Sequence, residues 1–218
     1  MRKSKIATWL ILLLIPLTIF LGNKLPGRSY YLTSTLILLE IMLPFFLAFE
    51  GRKPQARELV VIAVLCALAI AGRVVIPIPN FKATYAIIML SAVAFGPESG
   101  FLIGAMTALV SNFFFGQGPH TPWQMMAYGA GGMLSGFFFA KGRLPQKPLT
   151  MAVFGFFAVI LWVGPLLDCS HIFLMLSQVN WSGVLATFIS GFYVNITQAI
   201  CTVLVMLFLG RPLLEKLD

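Results

Sequence analysis

Polar side chains that could bind a small molecule are concentrated in one segment, which reads NFFFGQGPHTPWQ from Asn112 to Gln124. Two glycines and two prolines shape a loop there, and three consecutive phenylalanines supply apolar surface. Gln117 and His120 add an amide and an imidazole between the amides at the two ends. Aromatic surface with a few placed polar groups is typical of a small-molecule pocket. An interfacial aromatic belt would explain Trp123 and Tyr128, but it would not explain the amides.

Polar residues also stand out at two other places. The proline-rich turn Pro77–Lys82 offers hydrogen-bonding groups on Asn80 and Lys82 that could contact a ligand. The turn could equally be a simple connector between two helices. Asn195 lies at membrane depth in the last apolar stretch. It could equally form a hydrogen bond between helices or contact a ligand. The candidate binding residues are therefore Asn80, Lys82, Tyr85, Asn112, Gln117, His120, Trp123, Gln124, Tyr128 and Asn195.

Catalytic chemistry is not indicated. The carboxylates are scattered, whereas metal-dependent and diaspartyl hydrolases need two acidic groups together. Neither a GxSxG elbow nor a GxxxxGK[ST] phosphate loop occurs in the sequence. The two histidines, His120 and His171, match no zinc-binding spacing. We therefore predict a binding protein with no metal and no cofactor of its own.

The elements that must position these residues are membrane helices. The chain is 59% apolar and only 10% charged, and a span needs roughly 20 mostly apolar residues. Long, uniformly apolar segments favour helices over barrel strands. The eight predicted spans are Ile6–Leu21, Tyr31–Phe49, Leu59–Ile78, Ala83–Phe95, Gly100–Phe115, Trp123–Ala140, Leu149–Leu167 and Val184–Gly210.

The net charge of +8 reflects topology rather than nucleic-acid binding. With the N-terminus inside, the positive charges of the cytoplasmic side are Arg2, Lys3, Lys5, Arg52, Lys53, Arg57, Lys141, Arg143, Lys147, Arg211 and Lys216. The outer side holds Lys24, Arg28, Arg73 and Lys82. This asymmetry follows the positive-inside rule and predicts a multi-pass plasma-membrane protein with both termini in the cytoplasm. The basic loops would meet anionic headgroups. The outer loops would be 77–82, 116–122 and 168–182.

The polar linker EGRKPQARE, from Glu50 to Glu58, divides the chain. It separates two plain apolar helices from six with more polar and glycine content. We predict an N-terminal transmembrane hairpin at residues 1–56 and a functional core at 57–218. Glu40, within the hairpin, would be protonated, or paired with Arg73 or with a partner subunit.

The core resembles the substrate-binding (S) component of energy-coupling factor (ECF) vitamin transporters. Residues 96–123, GPESGFLIGAMTALVSNFFFGQGPHTPW, look most like S components of the cobalamin type. Ala63, Ala67 and Ala71 match the family's alanine-x-x-x-alanine motif on the first core helix, although internal packing would also explain them. The resemblance implies a six-helix S-component fold preceded by two extra helices.

The resemblance also implies a function. The chain would capture a vitamin from the outer side without catalysis, and would work with a membrane T component and two ATPases. The alanine motif would dock the T component. Cobalamin or cobinamide is the expected ligand, since methionine-rich surroundings suit a bulky molecule. Few charged residues line the outer side, which disfavours a strongly anionic substrate. An S component for a queuosine precursor or another vitamin, or a stand-alone membrane carrier, is the alternative.

Overall fold

The computed structural model describes residues 17–18, 21, 29–51, 55–75, 78–175 and 180–217, and they are helical apart from short connections. The predicted all-α fold is thus confirmed for this part of the chain. The predicted span Ile6–Leu21 lies almost wholly outside the described residues. The helices are α1 (Ser29–Gly51), α2 (Ala56–Val74), α3 (Thr84–Phe95), α4 (Pro97–Phe115), α5 (Thr121–Phe139), α6 (Pro148–Ala158), a π-helical turn (Val159–Val163), α7 (Gly164–Met175) and α8 (Trp181–Leu217).

In the described part of the chain, three helical rods are long and apolar enough to cross a membrane by length and composition. They are Pro97–Phe115, Pro148–Ile172 and Trp181–Lys216, while α3 is apolar but shorter. The first rod is α4, the second joins α6 to α7 through the π turn, and the third is almost all of α8. Within the described residues, these three rods correspond to the predicted spans Gly100–Phe115, Leu149–Leu167 and Val184–Gly210, and the other five spans stay predictions.

The short apolar helix α3 lies at the centre of the described helices. Ten consecutive residues, Thr84–Val93, are buried, and α2, α4, α5 and α8 all pack against it. A helix that is apolar on every side has to be buried on every side. The turn into α4 is a single residue, Gly96, whose φ of 90° suits glycine, and Pro97 starts the next helix.

Helices α4 and α5 make the closest contact in the fold, through glycines on both. A side-chain carbon added to Gly100 would lie 2.8 Å from the carbonyl oxygen of Gly132. The same atom on Gly104 would collide with the backbone at Tyr128 and Gly129. Small residues let helix backbones approach closely in a membrane, so these glycines are part of the packing surface.

The segment expected to be an outer loop from Asp168 to Ser182 is helical as far as Met175. The predicted span Leu149–Leu167 ended just before Asp168, whereas the helix continues beyond it. Proline lacks the backbone N–H that would bond one turn back, and the π turn stands directly before Gly164-Pro165. The π turn is wider than an α-helical turn, so it accommodates the absence of the hydrogen bond that Pro165 cannot donate. The helix therefore continues through Asp168.

Helix α1 packs against α4, α5 and α7. Its Met42 is buried, and the ring of Phe46 meets that of Phe101 edge to face at 5.7 Å. The hydroxyl of Thr18 donates a 2.5 Å hydrogen bond to the Glu40 carboxylate. Arg73 bonds elsewhere, so the suggested pairing of Glu40 with Arg73 is wrong. The predicted boundary between hairpin and core at residues 56 and 57 stays a prediction.

Candidate functional site

A polar pocket of about 700 Å³ lies where the start of α5 meets α7 and α8. Its described lining combines carboxylate, amide, imidazole and hydroxyl groups with a few apolar ones. The lining residues are His120, Gln124, Leu167, Asp168, Ser170, His171, Thr187, Ser190, Gly191, Val194 and Asn195. The cavity has the size of a site for a drug-sized organic molecule.

The inner wall of the pocket is built around Asp168 and Asn195. The Asn195 amide donates a hydrogen bond of 3.0 Å to Oδ2 of Asp168, and both side chains are buried. Two glycines make room for the pair. A side-chain carbon on Gly164 would collide with the Asn195 amide, and one on Gly191 would collide with the Asp168 carboxylate. The two polar groups are therefore held in fixed positions between α7 and α8.

Gln124 belongs both to the pocket and to a network around Arg73. One guanidinium nitrogen of Arg73 donates to the Ser111 hydroxyl and, at 3.1 Å, to Oδ1 of Asn112. The other donates to Oε1 of Gln124 at 3.3 Å. The guanidinium also lies 5.0 Å from the centroid of the Phe115 ring. Arg73 thus ties the C-terminal end of α2 to α4 and to the pocket wall.

His120 stands at the pocket rim, immediately before α5. Partial burial lowers its pKa, and the positive charges of Arg73 and His171 lower it further, whereas a backbone hydrogen bond with Gly116 raises it. The net effect is a lowered pKa. The imidazole is therefore neutral near pH 7 and can either accept or donate a hydrogen bond to a ligand.

Of the candidate binding residues, the structure brings His120, Gln124 and Asn195 to the pocket. Two other amides instead hold the loop before α5. Asn112 is fully buried and donates to Thr121 at 3.0 Å. Gln117 donates to the Leu109 carbonyl at 2.8 Å and accepts from Thr121 at 2.9 Å.

The remaining candidates are not among the described lining residues of the pocket. The Tyr85 hydroxyl, buried in the core, donates to the Gly131 carbonyl at 3.2 Å. Tyr128 accepts a 3.3 Å hydrogen bond from Gln198. Asn80 lies in an exposed turn with a φ of 60°, Lys82 is half-buried after that turn, and Trp123 is buried.

The sequence prediction missed the hydroxyl-bearing wall of the pocket. Five lining residues lie on α8 at successive intervals of three, one, three and one, namely Thr187, Ser190, Gly191, Val194 and Asn195. That spacing places all five on one face of a helix. A search for a polar helical face, rather than for isolated amides, would have found it.

No group of three His, Cys, Asp or Glu side chains that could hold a metal ion occurs in the described part of the chain. On α2, Ala63 and Ala67 are exposed and Ala71 is half-buried. Val60, Val64 and Leu68 are exposed beside them, at 63%, 61% and 45%. The alanines therefore belong to an exposed apolar surface of α2.

Three kinds of comparison place the chain among known proteins. The profile of the family described as "ECF-type riboflavin transporter, S component" matches residues 53–215. A UPF0397 protein of Vibrio atlanticus is 36% identical over 118 residues, which cover 50% of this chain and 64% of that protein. The UPF0397 protein YdcD of Lactococcus lactis is 39% identical over 82 residues, covering 36% of this chain and 41% of YdcD. The matches thus span less than two thirds of these relatives. No solved structure gives a significant match.

Proposed function

The chain belongs to the family of ECF-type riboflavin transporter S components, and we propose that it is the substrate-binding subunit of an ECF importer. Family members are transporter subunits rather than enzymes, in agreement with the absence of paired carboxylates from the sequence. The observation that carries the proposal is the polar pocket between α5, α7 and α8. Polar groups at membrane depth are costly unless they serve binding or transport.

The ligand we propose is a compact vitamin or vitamin precursor, uncharged or cationic, with one to a few rings. A volume of about 700 Å³ suits a molecule of that size. The cobalamin-type resemblance is not supported by the family match, which is to the riboflavin type. A corrinoid with its nucleotide arm is also several times bulkier than a flavin. Cobalamin and a queuosine precursor remain useful members of a test panel.

Energy for uptake has to come from partners in this proposal. The sequence holds no phosphate-binding loop, so a T component with two ATPases would supply ATP hydrolysis. The exposed surface of α2 that includes Ala63 and Ala67 is the proposed docking surface, because small residues allow a partner helix to approach closely. We also propose that both termini are cytoplasmic and that the pocket opens outward, as the positive-inside rule predicts.

The test is ligand binding by the purified chain in detergent. A panel of riboflavin, thiamine, biotin, pantothenate, cobalamin and a queuosine precursor is titrated calorimetrically. Val194→Trp places a large side chain on the pocket wall. Ile189→Trp on the exposed side of the same helix, where Ile189 is 65% exposed, is the matched control. We expect one saturable ligand that Val194→Trp loses and Ile189→Trp keeps.

Two results would count against the proposal. Binding that survives Val194→Trp unchanged would place the site elsewhere, and no saturable binding of any panel member would remove the substrate-binding role. Reconstitution then separates the alternative function. Uptake into liposomes by the chain alone, without ATPases, would favour a stand-alone carrier over an S component.

A further inference from the structure

We propose that Asp168 is the specificity-determining residue of this pocket and that the substrate carries a nitrogen-centred cation, such as a protonated amine, an amidine or a quaternised heterocycle. This inference rests on the proposed function and narrows it to a substrate class. It follows from the charge and burial of the groups that line the cavity rather than from any relative's name.

The first observation is that Asp168 is an acid in a buried position, with His171 one turn further along α7. Only 7% of its surface is exposed. It is the only carboxylate among the described lining residues, and no lysine or arginine is among them. A buried charge is unfavourable unless it is paired or hydrogen-bonded. The hydrogen bond from Asn195, an uncharged donor, satisfies one oxygen but does not balance the charge.

The second observation is that the carboxylate cannot easily turn to find another partner. It packs directly against the backbone of Gly191, which itself lines the cavity, and its amide partner packs against Gly164. Side chains at either glycine would occupy the space of the two polar groups. The sequence therefore holds the acid in one place at the cavity wall, as a preorganised binding group requires.

The third observation concerns the other charged and titratable groups near the pocket. His120 has a lowered pKa and is neutral near pH 7, and His171 lies one turn after Asp168 on α7. The guanidinium of Arg73 is bound to Ser111, Asn112 and Gln124. The remaining polar lining is uncharged. The described lining thus holds one carboxylate and no lysine or arginine, so it complements a cation, whereas Asp168 would repel phosphate or carboxylate groups.

The hydroxyl-bearing residues complete the recognition. Ser170, Thr187 and Ser190 line the cavity along with the amides of Gln124 and Asn195. Hydroxyls and amides can each donate and accept, so they can bind the uncharged polar edges of a ring. The expected ligand has a cationic nitrogen at Asp168 and uncharged polar groups facing α5 and α8.

The experiment compares probes of different charge on the unchanged chain and on two variants. Thiamine is the cationic probe, riboflavin the neutral one and flavin mononucleotide the anionic one, with choline and agmatine as simpler cations. Asp168→Asn removes the charge while keeping the shape. Glu215→Gln removes an exposed carboxylate that pairs with Arg211 near the other end of α8. Melting temperatures without ligand show whether each variant is folded.

We expect saturable binding only of cationic probes. The Kd of the best probe should rise about ten- to a hundred-fold in Asp168→Asn, as for loss of a hydrogen bond to a charged group. The Kd should be unchanged in Glu215→Gln. The ranking of probes on the unchanged chain does not depend on variant folding. Preferred binding of riboflavin or flavin mononucleotide, or a Kd that Asp168→Asn leaves unaltered, would overturn the inference while leaving the proposed function intact. Absence of binding by every probe here and in the vitamin panel would overturn both.

Discussion

Replacing Arg73 with methionine should destabilise the fold, because Arg73, at the C-terminal end of α2, joins this helix to α4 and α5. Arg73→Met keeps an unbranched side chain but removes the hydrogen bonds to Ser111, Asn112 and Gln124 and the contact with the Phe115 ring. Hydrogen bonds between membrane helices contribute about 0.6 kcal/mol each, and an exposed cation–π contact about 0.5–1 kcal/mol. The expected loss of unfolding free energy is roughly 2–3 kcal/mol.

Thermal unfolding in detergent, followed by the loss of helical circular dichroism, measures this loss. For a chain of this size, 1 kcal/mol corresponds to about 2–4 °C, so Tm should fall by roughly 5–10 °C. Arg73→Lys should lose about half as much, since an ammonium keeps the charge but not the planar fork. Arg57→Met is the control, because Arg57 is exposed at the opposite end of the same helix. Surface changes of that kind usually stay within about 0.5 kcal/mol.

The same variants test whether the network supports the pocket. Gln124 accepts from Arg73 and lines the cavity, so Arg73→Met should also weaken the binding of whichever compound the chain takes up. Equal melting temperatures for Arg73→Met and Arg57→Met would show that the network contributes nothing measurable, and the structural argument would then be wrong.

Four further results are expected. Gly104→Ala should lower Tm, because its new methyl group would meet the backbone of the facing helix, whereas Gly51→Ala, with open space around it, should not. Asn80→Val should be less stable than Asn80→Gly by about 1 kcal/mol or more, since a φ of 60° disfavours a β-branched residue; equal chemical denaturation curves would contradict this. The pKa of His120 is lowered in the folded chain, so the unfolded chain binds this proton more tightly. The stabilising contribution of His120 is therefore present above pH 6.5 and lost as the pH falls below it. His120→Gln should flatten the change of Tm with pH. Ala67→Leu should abolish ATP-driven uptake in a reconstituted complex with ligand binding intact, and normal uptake would remove the docking assignment.

Helix positions were predictable wherever glycine and proline interrupt the apolar segments. The segment expected at Ala83–Phe95 forms α3 at Thr84–Phe95, because Gly96-Pro97 ends one helix and starts the next. At Gly164-Pro165, by contrast, the helix continues after a π turn. There the sequence gives no sign of the π turn, which depends on the packing of the whole rod against α5 and α8. Tertiary contacts decided that point, and no local signal was available.

The candidate site, too, was predictable only where a local feature of the sequence marks it. His120 and Gln124 were identified because their polar loop stands out locally. Asp168 was not a candidate because the sequence placed it in a loop. Only the continuation of the helix through it carries its carboxylate to Asn195 on α8. Asn112 looked like a ligand contact, yet its buried amide serves Arg73 and Thr121, since a sequence does not distinguish a polar group that binds a ligand from one that joins two helices.

The close glycine contact between α4 and α5 has a consequence for how the chain is made. These helices are neighbours in sequence, so they can associate as soon as both have entered the membrane, and such local contacts form early. The pocket, by contrast, takes much of its lining from α8, which is synthesised after both of them. A chain arrested before residue 181 would hold a firmly paired α4 and α5 but lack one wall of the cavity. Ligand recognition is therefore acquired only once α8 has been made, after the α4–α5 pair has formed.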